Sequence, residues 1–144
     1  MDEYSHYPEA LALVQKVAEE DKEYFVREDA LSYLAKHFPR DSGVFQFLCR
    51  QAIVDPNSYI RSNVLRNIIS CYPGQREIMA LLMTVAEKDS ESVNRLEAIE
   101  QLAKLCPERS GLLEFLDARL KREQAPWVRE EIEKLLAGLK GGSQ

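Results

Sequence analysis

Residues 25–35 read FVREDALSYLA, and the pattern returns as YIRSNVLRNII at 59–69, VNRLEAIEQLA at 93–103 and WVREEIEKLLA at 127–137. The interval is 34 residues each time, so Arg27, Arg61, Arg95 and Arg129 stand in one column. Asp21, Asp55 and Asp89 keep the same spacing with Glu123 in the fourth place, and Pro39, Pro73 and Pro107 keep it too. Apolar columns run in phase: Ala30, Val64, Ala98 and Ile132; Leu34, Ile68, Leu102 and Leu136; and, upstream, Val14, Leu48, Leu82 and Leu116. Charged, proline and apolar positions sharing one register mark an internal repeat.

Apolar residues at helical spacing predict two helices in each repeat. The first helices fall at about 8–20, 43–54, 75–88 and 111–123, the second at about 24–38, 58–72, 92–106 and 126–139. Ser58 and Ser92 are expected as N-caps, Ser42 and Ser110 as caps of the following first helices, and Pro126 suits a first helical turn. The three in-phase prolines stop the second helices, because the residue before a proline disfavours helical geometry. Helix pairs of this length cannot bury their apolar faces singly, so neighbouring pairs must stack.

The four quoted stretches resemble the second helix of HEAT repeats, with an acid in the turn, then Val-Arg, then Ala and Leu at helical spacing. They are also similar to the shorter HEAT-like repeat of phycobilin lyase subunits. The tetratricopeptide motif shares the period, but phased on the prolines its small residues would fall on Gln15, Cys49, Met83 and Asp117 and on the four arginines. The resemblance covers about residues 8–139. It implies an all-α, right-handed α-solenoid of four stacked helix–turn–helix repeats, at about 8–39, 43–73, 75–107 and 111–139. The expectation is a single domain over 1–144 with a flexible tail at 140–144. Asn94 departs from the pattern set by Val26, Ile60 and Val128, and a shifted helix start that lets Val93 fill the gap is expected.

Composition narrows the function classes. The 144 residues are 45% hydrophobic and 30% charged, with a net charge of −5. Residues 1–23 hold seven acids against two bases and so account for the whole −5, leaving 17 acids and 17 bases over 24–144. A neutral body is a poor ligand for a polyphosphate backbone. No apolar run reaches membrane-span length, and MDEYSHYPEA lacks the basic-then-apolar pattern of a secretion signal, which makes the cytoplasm the expected compartment. Cys49, Cys71 and Cys106 form no paired motif and are expected as reduced, buried thiols.

On a helical wheel Arg27 falls inside the apolar arc of Ala30, Leu31, Leu34, Ala35 and Phe38. A charge there demands a partner. The in-phase acids Asp21, Asp55, Asp89 and Glu123 are the expected partners of Arg27, Arg61, Arg95 and Arg129, in the same or the adjacent repeat. The opposite arc of the second helices is where HEAT solenoids present a concave surface. It places Tyr33, Lys36, Asn63, Arg66, Asn67, Gln101 and Lys104 as expected contacts for a protein partner. Its charges cancel, whereas nucleic-acid binding calls for a contiguous basic stripe. Ahead of the arginines stand Phe25, Tyr59, Val93 and Trp127, expected to staple the turns, with an exposed docking ridge as the alternative.

His6 and His37 have no ligand or nucleophile at diagnostic spacing, and no phosphate-loop, dinucleotide, zincin or hydrolase motif occurs. The expectation is a non-catalytic protein-interaction module or scaffold without cofactor or metal, as a monomer or as part of a larger assembly. The alternatives are a nucleic-acid-binding or DNA-repair HEAT-like protein, which would require exposed ladder arginines, and a companion subunit of a cofactor-attaching lyase.

Overall fold

A computed structural model describes residues 7–106 and 108–141. The described residues form helices α1 (Tyr7–Glu20), α2 (Tyr24–His37), α3 (Ser42–Val54), α4 (Ser58–Cys71), α5 (Glu77–Lys88), α6 (Ser92–Leu105), α7 (Arg109–Arg122) and α8 (Pro126–Gly141), with no strand among them. The chain divides into two compact units, Met1–Gln75 and Arg76–Gln144. In the first, α1 pairs with α2, α3 pairs with α4, and α2 packs directly on α4. The second repeats the plan, with α5 on α6, α7 on α8, and α6 packed on α8. Stacked helical hairpins of this kind are the building plan of an α-solenoid.

The apolar columns make the cores. Leu31, Leu34, Ala35, Val44, Leu48, Ala52, Val64, Leu65 and Ile68 are buried in the first unit. Leu82, Ala86, Ala98, Ile99, Leu102, Leu116 and Ile132 fill the second. One polar residue breaks these columns in the first unit. Gln51 is buried where the in-phase positions hold Val17, Val85 and the likewise buried Arg119, and its Nε2 has no hydrogen-bond partner among the described residues.

Several local expectations need correcting. Asn57, not Ser58, caps α4, its Oδ1 accepting from the Ile60 amide at 3.1 Å. Asp41, not Ser42, caps α3 by accepting from the Val44 amide at 3.0 Å. In both cases an Asx oxygen one residue upstream takes the free amide, and the serine becomes the first helical residue. Ser92 and Ser110 lie inside α6 and α7, whose N-cap positions are Glu91 and Glu108, neither making a side-chain cap. Helix α5 starts at Glu77, two residues later than expected, because Pro73-Gly74 forms a turn with Gly74 at φ 82°. That left-handed geometry suits glycine and delays the helix. Lys140 and Gly141, expected in the tail, continue α8, and 142–144 lie outside the described residues. Pro107, expected to stop α6, also lies outside them; α2 and α4 do stop ahead of Pro39 and Pro73.

Asn94 is the clearest correction. Helix α6 keeps its register, Val93 is 60% exposed, and Asn94 itself is buried. Its Nδ2 lies 3.4 Å from both Asp89 carboxylate oxygens. A polar side chain replaces the valine by finding an acceptor in the turn, so no shift of the helix is needed. The thiols differ as well: Cys49, Cys71 and Cys106, which form no disulfide, are half-buried rather than buried.

Candidate interaction surface

The inter-helix turns share one construction. The carboxylates of Asp21, Asp55, Asp89 and Glu123 each accept the backbone amide two residues on, from Glu23, Asn57, Glu91 and Ala125, all at 2.9 Å. This closes the turn and aims the second helix. The arginines then lock it. Arg27, Arg61 and Arg95 each donate from Nη1 to the carbonyl of their own turn acid at 2.9 Å. Within the first unit Arg27 also grips the Asp55 carboxylate with Nε and Nη2, both at 3.1 Å. Within the second, Arg95 grips Glu123 in the same two-pronged way at 2.8 Å.

The expected ladder therefore has a direction. The carbonyl comes from the arginine's own repeat and the carboxylate from the following one. Such a charge-assisted fork satisfies a guanidinium in a site where water cannot. The ion pairs shift the protonation equilibria as their geometry requires. The hydrogen bond from Arg95 holds the Glu123 carboxyl down from 4.5 to about 2, against the opposing effect of burial. The hydrogen bond to Asp55 raises Arg27, and that to Glu123 raises Arg95. Arg129 is the exception: it is exposed, and it has no ion-pair partner among the described residues.

The second-helix strip contains two kinds of residue. Asn63 donates to Glu28 Oε1 at 3.1 Å, and Asn67 donates to Ser32 Oγ at 3.2 Å. Both amides are thus committed to joining α2 and α4, a role the sequence reading did not assign. Arg66 is exposed but folds back on Ser62 Oγ at 2.8 Å. Tyr33 and Lys36 are exposed; the Tyr33 ring stacks on His37 at 4.2 Å and meets Phe38 edge-on at 6.3 Å. In the second unit Lys104 is exposed and Gln101 half-buried, while Lys134 pairs with Glu131 at 3.1 Å. A further tie escaped the sequence: the buried Tyr72 hydroxyl donates to the Phe38 carbonyl at 2.7 Å, 34 residues back. Burial pushes the Tyr72 hydroxyl up to about 12.

The aromatic column is not buried against the turns: Phe25 and Tyr59 in the first unit are 53% and 54% exposed, and Trp127 in the second is 44% exposed. Among the described residues no group of three or more metal-ligating side chains occurs, and no helix is long and apolar enough to cross a membrane. His37 lies at a shallow depression of about 370 Å³ formed with Phe38, Pro39, Arg40 and Asp41, whose lining offers no nucleophile for it to activate.

A family model for HEAT repeats matches residues 45–137, nearly two thirds of the chain. The fold and turn chemistry therefore define a HEAT-type helical repeat protein, and the chain belongs to that family. No curated protein and no solved structure matches it.

Proposed function

We propose that this chain is a non-catalytic protein-interaction module that presents its second-helix strip to a protein partner. HEAT repeats commonly serve this purpose. The observation that carries the reading is the division of labour on α2 and α4. Asn63–Glu28 and Asn67–Ser32 bond the two helices to each other, while Tyr33, propped on His37, and Lys36 stay exposed on α2. A rigid base with a protruding aromatic and a cation is a good template for protein recognition, because little order is lost on binding. In the second unit, Gln101 and Lys104 are the corresponding candidates on α6. Arg66 joins the contact set if its bond to Ser62 opens.

The nucleic-acid alternative needed exposed ladder arginines. Arg27 and Arg61 are buried and Arg95 spends its fork on Glu123; Arg129 alone of the four is exposed, and one cation does not make the contiguous basic stripe that this alternative calls for. Half-buried thiols that form no disulfide accord with a reducing compartment, and the cytoplasm is part of the proposal. The test starts from a partner captured from native cell extract and purified. The combined Tyr33→Ala, Lys36→Ala and Arg66→Ala variant is expected to bind it at least about tenfold more weakly, the loss of one good contact's worth of free energy. Unchanged affinity in a variant with an unchanged melting temperature would move the site elsewhere.

A further inference from the structure

A second surface lies at the turn edge of the first unit, away from the strip. Ile53 and Val54 are the last two residues of α3, and they are 46% and 56% exposed. The in-phase residues of the other repeats are Glu19-Glu20, Glu87-Lys88 and Lys121-Arg122. Positions that are charged and exposed in the three other repeats are thus apolar in the second, and remain in solvent there. Solvation cannot account for this choice, since each charged pair would be better hydrated.

The neighbours are of the same character. Tyr59 stands in the first turn of α4, and Tyr24 and Phe25 open α2 with their rings edge-to-face at 5.9 Å. All three are about half exposed. The Arg27–Asp55 fork fastens the first turn of α2 to the α3–α4 turn, so the segments that carry the five side chains adjoin. Acids border it: Glu19 and Glu20 end α1, and Glu23 leads into α2, all exposed, with Lys22 as the single base in that turn. Asp21 adds a carboxylate that makes no ion pair among the described residues.

We infer that this edge docks a basic segment of a partner protein through apolar anchors. The apolar side chains would sit on Phe25, Ile53, Val54 and Tyr59, and flanking Lys or Arg would face Glu19, Glu20, Asp21 and Glu23. The acidic border also selects against a second copy of this edge, which would meet like charge. This surface stands independently of the second-helix strip.

The test uses the full chain, labelled for amide NMR, and three synthetic peptides: an amphipathic Leu/Lys 15-mer, the same sequence with every Lys replaced by Glu, and a Lys/Gly 15-mer without anchors. The Leu/Lys peptide is expected to shift amides at 19–25 and 53–59, and to bind at least tenfold more tightly than either control. Combining Ile53→Glu with Val54→Lys installs the pair already present at Glu87-Lys88, so the variant should fold. It is expected to lose that binding tenfold or more while a Tyr33→Ala variant keeps it. Equal binding of the Glu peptide, shifts that map elsewhere, or full binding by the double variant would overturn the proposal. Overturned too would be the case in which these substitutions abolish self-association in sedimentation and no peptide binds, since the edge would then serve a second copy.

Discussion

Arg27 and Arg129 occupy the same column of the repeat and are treated differently by the fold. Arg27 is buried with a two-pronged ion pair to Asp55 and a carbonyl from Asp21. Arg129 lies in solvent without an ion pair among the described residues. The desolvation of a buried guanidinium is repaid only while its carboxylate stays in place. Asp55→Ala should therefore destabilise the protein by about 3 kcal/mol, because it leaves Arg27 buried without its counter-ion. Arg129→Ala should stay within about 0.5 kcal/mol of the wild type, as exposed substitutions do. Urea titrations of the two variants check the contrast, and similar values for both would contradict it.

At the scale of the element, Asp55 and Glu123 do two things at once: they close their own turn and receive the arginine of the preceding repeat. Glu123 shows how this couples to pH. Its folded carboxyl is held at about 2, below the ordinary 4.5, chiefly by the Arg95 hydrogen bond. The folded state thus binds this proton less readily than the unfolded chain. The stabilisation is complete above about pH 4.5 and is lost as pH falls through about 2. Against Glu123→Gln the wild type should lead by on the order of 2–3 kcal/mol at pH 6, and the lead should shrink steadily toward pH 2. A gap that stays constant over that range would mean that the Arg95 pair contributes nothing to stability.

The elements also show what the sequence could carry. Helix positions and the acid–arginine pairing were legible because period and charge shared one register. The direction of the pairing was not, since a column cannot say whether an arginine reaches forward or back. The caps were misplaced by one residue because Asp41 and Asn57 compete with adjacent serines for the same amides. Asn63 and Asn67 were read as open contacts, yet a residue on a polar arc can still meet the helix beside it. Asn94 was read as a misfit because the pattern shows side-chain type, whereas its nearby acceptor, Asp89, becomes visible only in the fold. The Ile53-Val54 pair could have been found by comparing the charged columns, where it is the one apolar member.

At the scale of the molecule, the chain is two compact units of stacked hairpins built from one repeated sentence of sequence. The Arg27–Asp55 and Arg95–Glu123 forks are consumed in holding each unit together, whereas Arg129 lies in solvent and the Asp21 carboxylate makes no ion pair among the described residues. The first unit leaves Tyr33 and Lys36 exposed on α2 and an apolar edge at its turns, and the second leaves Lys104 exposed on α6. The net charge of −5 belongs to residues 1–23, whose described portion borders that edge. The proposed binding role rests on these exposed side chains, and HEAT repeats commonly mediate protein–protein interaction.

The central claim is that a protein partner covers the second-helix strip. Hydroxyl-radical footprinting of the complex with a purified partner reads this from side chains directly, because exposed Tyr33 on α2 and exposed Leu13 on α1 are both reactive reporters. Binding is expected to lower the oxidation rate of Tyr33 severalfold and to leave Leu13 unchanged. Protection of Leu13 with Tyr33 as reactive as in the free chain would contradict it.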